Sequence, residues 1–186
     1  MRSNFRISSI LKSTAPDTSI TGFPTFSLSD LELTNDLDFP LPTNVRLGHL
    51  AEKVVSELIK SSSNFVVLFE NIQVLDGKTT IGELDFILQE TQTNKLIHME
   101  LAYKFYLYDP KISSQQIENW IGPNRNDSLA LKLKKLKQKQ FPLLHHPCTK
   151  QSLISIDINK VQQALCLLVL LFIPFEYKEK LNASYQ

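Results

Sequence analysis

Between Leu47 and Ile59 the apolar residues return at three- and four-residue steps: Leu47, Leu50, Ala51, Val54, Val55, Leu58 and Ile59. That period predicts an amphipathic helix over 44–60, capped by Thr43 or Asn44. At ~100° per residue, Glu52 falls at the border of the apolar stripe while His49 and Lys53 point away. Glu52 is therefore placed to reach a cleft beside the core. The period then changes to two. Residues 65–69 form a continuous apolar run that extends through Ile72 and Val74, and Asp76-Gly77 signals a hairpin. Over 80–88, Leu84, Phe86 and Leu88 share one face and Glu83, Asp85 and Ile87 the other. Over 96–105, Met99, Leu101, Tyr103 and Phe105 lie opposite His98, Glu100, Ala102 and Lys104. Beyond Asp109-Pro110 a helix is predicted over 112–121, broken at Gly122-Pro123. A second follows over 128–140, capped by Asn126 or Asp127, with Leu129, Leu133 and Leu136 inward. Residues 152–158 read as a strand, and the apolar run 164–175 as a core strand or short helix. Helix, three strands, helices and strand together predict an α+β or mixed α/β domain.

Residues 1–42 lack a sustained period. The first sixteen are rich in serine, free of acids and expected to be frayed. Pro16, Pro24, Pro40 and Pro42 then punctuate a stretch that also carries Asp17, Asp30, Asp36 and Asp38. An irregular arm is predicted there, with one helical turn after Ser29. The folded domain is placed at 43–175 and a polar tail at 176–186. The longest apolar run is interrupted by Pro174 and is well short of the roughly 20 residues of a spanning helix, so no membrane partner is expected. The formal charge of +1 favours no class of partner. Cys148 and Cys166 form neither a disulfide framework nor a zinc spacing, which fits a reducing, cytoplasmic setting.

Candidate chemistry enters with the strand register. A turn centred at Gln92-Thr93 puts Asp85 opposite Glu100 and Glu83 opposite Ala102. Opposed residues share a sheet face with Cβ atoms ~5 Å apart. Two carboxylates so close repel unless one is protonated, a cation such as Lys104 neutralises them, or both hold a divalent metal. With Glu52 they form a carboxylate cluster beside a lysine, a hard oxygen donor set suited to Mg²⁺ or Mn²⁺. Such a metal suits phosphodiester hydrolysis because it stabilises the charge of the transition state. The plainer alternative is a solvated acidic face with Lys104 as an ordinary ion-pair partner.

Several segments carry a resemblance. Leu47-Gly48-His49-Leu50-Ala51-Glu52, Gly82-Glu83-Leu84-Asp85-Phe86, Glu100-Leu101-Ala102-Tyr103-Lys104-Phe105-Tyr106 and Trp120-Ile121-Gly122-Pro123-Asn124-Arg125-Asn126-Asp127 resemble, in order, a bacterial family called domain of unknown function 1853. That family looks like a branch of the PD-(D/E)xK nuclease-like superfamily. The resemblance implies a restriction-endonuclease-like core, a central mixed sheet in αβββαβ order flanked by helices. It also implies Glu52 as the helix acid, Asp85 as the central metal ligand and Glu100 as the acid of the (D/E)xK motif. The lysine departs from the pattern: Ala102 occupies the motif position and Lys104 stands two residues on, ~7 Å along the strand. The resemblance also implies a domain that is short at its C-terminus, with part of it expected to be missing.

The helix over 128–140 carries five lysines, and from Asp127 to Lys150 six lysines face one acid. Arg125, Lys132, Lys134 and Lys135 are the candidate phosphate contacts, a solvated face being the alternative. Tyr103, Tyr106, Tyr108 and Trp120 could stack on bases, although core or rim placement is commoner. His98 shares the face of Glu100 as ligand, proton carrier or hydrogen-bonded bystander. His145, His146 and Cys148 lack a fourth zinc ligand. Gln115 and Gln116 could line the site or lie on the surface. The leading expectation is a metal-dependent nuclease acting on DNA, with RNA a possible substrate. Asp85, Glu100 and Glu52 would hold Mg²⁺ or Mn²⁺, and Lys104 would orient water. The competing expectation is an inactive module on the same scaffold that binds nucleic acid or protein.

Overall fold

A computed structural model describes residues 2–13, 15–33, 37 and 39–177. Asp36 and Asp38 lie outside these, as does the expected polar tail beyond residue 177. In chain order the helices and strands are α1 (Arg2–Leu11), α2 (Thr18–Thr21), α3 (Leu47–Lys60), β1 (Phe65–Asp76), β2 (Thr79–Glu90), β3 (Leu96–Tyr108) and β4 (Trp120–Ile121). They continue with α4 (Leu129–Lys135), α5 (Phe141–Leu143), α6 (Pro147–Ser152) and β5 (Val161–Phe172). A π-helical turn, Leu136–Gln140, joins α4 to α5.

The sheet is mixed. β1 and β2 pair antiparallel, β2 and β3 antiparallel, and β3 and β5 parallel from Leu96↔Val161 to Leu107↔Phe172. The expected turn centre holds, for Phe86 pairs with Met99 and Leu88 with Ile97. Short β4 pairs with Leu107 and Tyr108. A strand has two edges, and β5 runs along the whole of one. β2 and β4 therefore share the other, leaving 100–106 without a strand partner on that side.

Side-chain alternation distributes the core. Met99 and Leu101 pack on the α3 side with Leu50, Ala51, Val54, Val55, Leu58 and Ile59. Ala102, Tyr106 and Tyr108 pack on the opposite side with Leu129, Leu133, Leu136 and Phe141. Burying such side chains stabilises by ~1.5–3 kcal/mol each, which fixes helices on both faces of the sheet.

Several segments differ from the sequence expectation. α3 starts at Leu47 after Arg46, without the Thr43 or Asn44 cap, and α4 is capped by Ser128 rather than by Asn126 or Asp127. The N-terminus is helical: Ile7 and Ile10, one turn apart, are buried against the α3 cluster. Residues 112–121 are not a helix. The Asn119 side chain accepts from Ser113 N at 2.8 Å and donates to Ser113 O at 3.0 Å, a local clamp that competes with helical bonding. Residues 152–158 are not a strand: α6, opened by Pro147 and capped by the His146 side chain, runs through Ser152, and turns lead into a 3₁₀ turn at Ile158–Lys160. The alternating isoleucines there do not share one environment: Ile158 is buried and Ile154 is 91% exposed. The predicted helical turn after Ser29 is a 3₁₀ turn at Leu28–Asp30, with Ser27 as its cap. Thr25 bridges Leu165, so the arm lies against the free edge of β5.

Candidate functional site

One step past the last ladder pair, Phe86↔Met99, the same register brings Asp85 opposite Glu100. Here β2 parts from β3, and the Asp85 side chain replaces the missing strand: Leu101 N donates to Asp85 Oδ2 at 2.7 Å. Glu100 is fully buried. A buried carboxylate is costly unless its oxygens are satisfied, and both are. His98 Nε2 meets Glu100 Oε1 at 2.8 Å, and Gln140 Nε2 donates to Glu100 Oε2 at 2.6 Å. The imidazole faces the carboxylate through Nε2, and Nδ1 finds no partner among the described residues. His98 is thus a buried companion of Glu100.

The neighbouring acid is perturbed. Burial and the charge of Glu100 raise the Asp85 carboxyl to about 7, opposed by the Leu101 N–H and by Lys132. Glu52 also raises it, as the weakest of these influences. Lys132 responds in the opposite sense: burial lowers its amine, while Glu100 and Asp85 pull it back up. Its Nζ donates to Gln140 Oε1 at 2.9 Å. Asp85, Glu100, Gln140 and Lys132 form one continuous group.

Lys104, placed in this cluster by sequence, reaches elsewhere. Its Nζ pairs with Asp127 Oδ2 at 2.7 Å, with both side chains more than a third exposed. Lys132, expected as a phosphate contact, is the cation among the acids, and Lys104 and Lys135 lie close enough to depress its amine. Glu52 rises from α3 on the other side of the sheet, and its carboxylate meets His49 Nδ1 at 3.0 Å. Arg125 lies in the loop before α4 at φ +57° and bonds Asp109 Oδ2 at 3.1 Å; Lys134 and Lys135 are exposed on α4. Trp120, Tyr106 and Tyr108 are core residues, and Gln115 lies exposed in the irregular segment before β4.

The sequence reading missed Gln140. Across eight residues an α-helix turns twice plus ~80°, which would swing Gln140 off the face of Lys132. The π-helical turn underwinds the chain: Phe141 N donates to Leu136 O, five residues back. Pro142 supplies a cause, because it has no N–H for the Gln138 carbonyl. A proline inside an apolar-periodic run was the available signal.

Among the described residues, no three His, Cys, Asp or Glu side chains gather as a metal-ligand set. The two acids still fit Mg²⁺ or Mn²⁺. They are paired carboxylates, Asp85 is held high by burial and by the charge of Glu100, and such ions retain several waters. Among the described residues no helix is long and apolar enough to cross a membrane.

A protein-family model, described as Domain of unknown function (DUF1853), matches residues 26–185. No curated protein and no solved structure gives a significant match.

Proposed function

The chain belongs to the DUF1853 family, and from that premise we propose that it is a metal-dependent, PD-(D/E)xK-like nuclease that hydrolyses phosphodiester bonds in DNA. The observation that carries the reading is the acid pair where β2 leaves β3, with Asp85 raised to about 7 beside buried Glu100 and a lysine within range of both. The order α3-β1-β2-β3-α4-β5, with β5 parallel to β3, supports a restriction-endonuclease-like core.

Asp85 and Glu100 would hold Mg²⁺ or Mn²⁺, and Glu52 would add its charge from α3. When bound, the metal supplies Lewis-acid stabilisation of phosphoryl charge. Lys132 takes the part first assigned to Lys104: its Nζ has two further protons to offer a phosphoryl oxygen or the attacking water. Arg125, Lys134 and Lys135 would bind flanking phosphates. The competing reading, an inactive module that binds nucleic acid or protein, is favoured by one observation: no third ligand accompanies the acid pair among the described residues.

The test is Mn²⁺ binding by calorimetry followed by Mn²⁺-dependent cleavage of duplex and single-stranded DNA and RNA. Asp85→Ala and Glu100→Ala are expected to lose metal and activity. Lys132→Ala is expected to lower cleavage at least ~100-fold, as loss of a transition-state donor does, and Lys104→Ala only slightly. Cleavage unchanged in Asp85→Ala would sink the enzyme reading. Binding of DNA without metal or cleavage would leave the module.

A further inference from the structure

The amide of Gln140 is bonded at both ends. Nε2 donates to Glu100 Oε2 at 2.6 Å and Oε1 accepts from Lys132 Nζ at 2.9 Å. These partners select the same orientation. A flipped amide would set its oxygen against a carboxylate and its NH₂ against an ammonium, two repulsive contacts in place of two attractive ones. Glu100 is also held by His98, so neither of its oxygens can turn away from its donor. Each oxygen keeps a second lone-pair direction free. The helix adopts an unusual geometry at this point, since the π-helical turn ends on Gln140 itself. Such turns are rare and recur at functional sites.

We propose that Gln140 is a positioning residue: delivered by the π-helical turn, its amide locks Glu100 and Lys132 into one unit, and this sets how tightly the acid pair holds a divalent cation. The inference rests on the metal-binding part of the proposed function, not on cleavage. A carboxylate free to rotate must be ordered before it can ligate; one pinned by two donors is ordered already. Partners of metal ligands typically contribute 10–100-fold to affinity when they fix a ligand in this way.

Mn²⁺ alone is the probe, titrated into the full chain by calorimetry, with the electron paramagnetic resonance spectrum of bound Mn²⁺ and the melting temperature as companion readouts. Gln140→Met conserves length and approximate volume and removes both hydrogen bonds. It is expected to weaken Mn²⁺ binding 10–100-fold and alter the spectrum of the bound ion. Gln140→Asn keeps the amide but, one methylene shorter, loses its reach; it should lose as much and serves if the methionine variant folds poorly. A role confined to filling or bonding the core predicts the reverse: a lower melting temperature with unchanged affinity and spectrum. That result would overturn the inference while leaving the metal site standing. Absence of Mn²⁺ binding in the wild type would overturn both together. Metal binding without cleavage would sink the nuclease reading and leave this inference intact.

Discussion

The two edges of β3 behave differently. Along one, β5 pairs without a break from Leu96 to Leu107; along the other, β2 covers 96–99, β4 covers 107–108, and the stretch between has no strand. The continuous edge is built from apolar residues, and Leu165, Cys166, Leu167 and Leu168 are all buried. The interrupted edge starts at Glu100, and a carboxylate stands where a strand would be. Regular hydrogen bonding leaves no backbone group for chemistry, whereas a gap must be filled by side chains. The polar residues that gather at this gap therefore both close the sheet and form the candidate site.

The largest effect is expected from breaking the continuous edge. Leu165 directs its backbone away from β3, toward Pro24 and Phe26, so that of Cys166 faces β3. Cys166→Pro removes a central ladder bond at a fully buried position, where a sheet does not tolerate proline, and should unfold the domain. Circular dichroism should show no cooperative melt; a normal melt would mean that β5 is not the structural edge.

Next in size is Asp85→Asn in the gap. The folded Asp85 carboxyl is raised from 3.8 to about 7, so folding favours its protonated form. Between those values the unfolded chain ionises while the folded chain does not. Wild-type stability should therefore fall as pH rises from about 4 to about 7 and level off above. Asparagine keeps an oxygen for Leu101 N and abolishes this slope. In a chelator, Asp85→Asn should match wild type near pH 4 and exceed it by about 2–4 kcal/mol at pH 8. Urea melts at the two pH values decide it; parallel curves would show that Asp85 is not strained.

A third test addresses β2 beyond its departure from β3. A Cβ at Gly82 would stand 2.6 Å from Leu143 Cδ2, so α5 approaches the strand across a bare backbone. Gly82→Val should cost about 1–3 kcal/mol by overpacking, read as a lower urea midpoint. The smallest effect belongs to Lys104→Met. Its partly exposed pair with Asp127 is worth at most about 1 kcal/mol, and a larger loss of stability would place Lys104 inside the structural group.

Much of this was legible in the chain. The hairpin register follows from alternation and the Gln92-Thr93 turn, so Asp85 and Glu100 can be paired from the sequence alone. β1, β2, β3 and the body of α3 are local patterns and could be read directly. Lys132 and Gln140 were harder, because their meeting depends on a helix that loses its α period over Leu136–Gln140, just ahead of Pro142. The segment 112–121 failed for a related reason: one asparagine side chain captures the backbone that helical bonding would have used. α1 was missed because the burial of Ile7 and Ile10 depends on the α3 cluster, far along the chain.

The parallel pairing of β3 with β5 has a consequence for how the molecule is made. Leu96 must wait for Val161, and everything between forms the crossover. The β1-β2-β3 meander closes on local contacts and brings Asp85 and Glu100 together early. Lys132 and Gln140 travel in the crossover, so they reach the acids later than the meander that pairs Asp85 with Glu100. Long-range parallel pairing is slow, and until it completes an apolar strand edge stays open to other chains. A chain stalled before that pairing would be sticky.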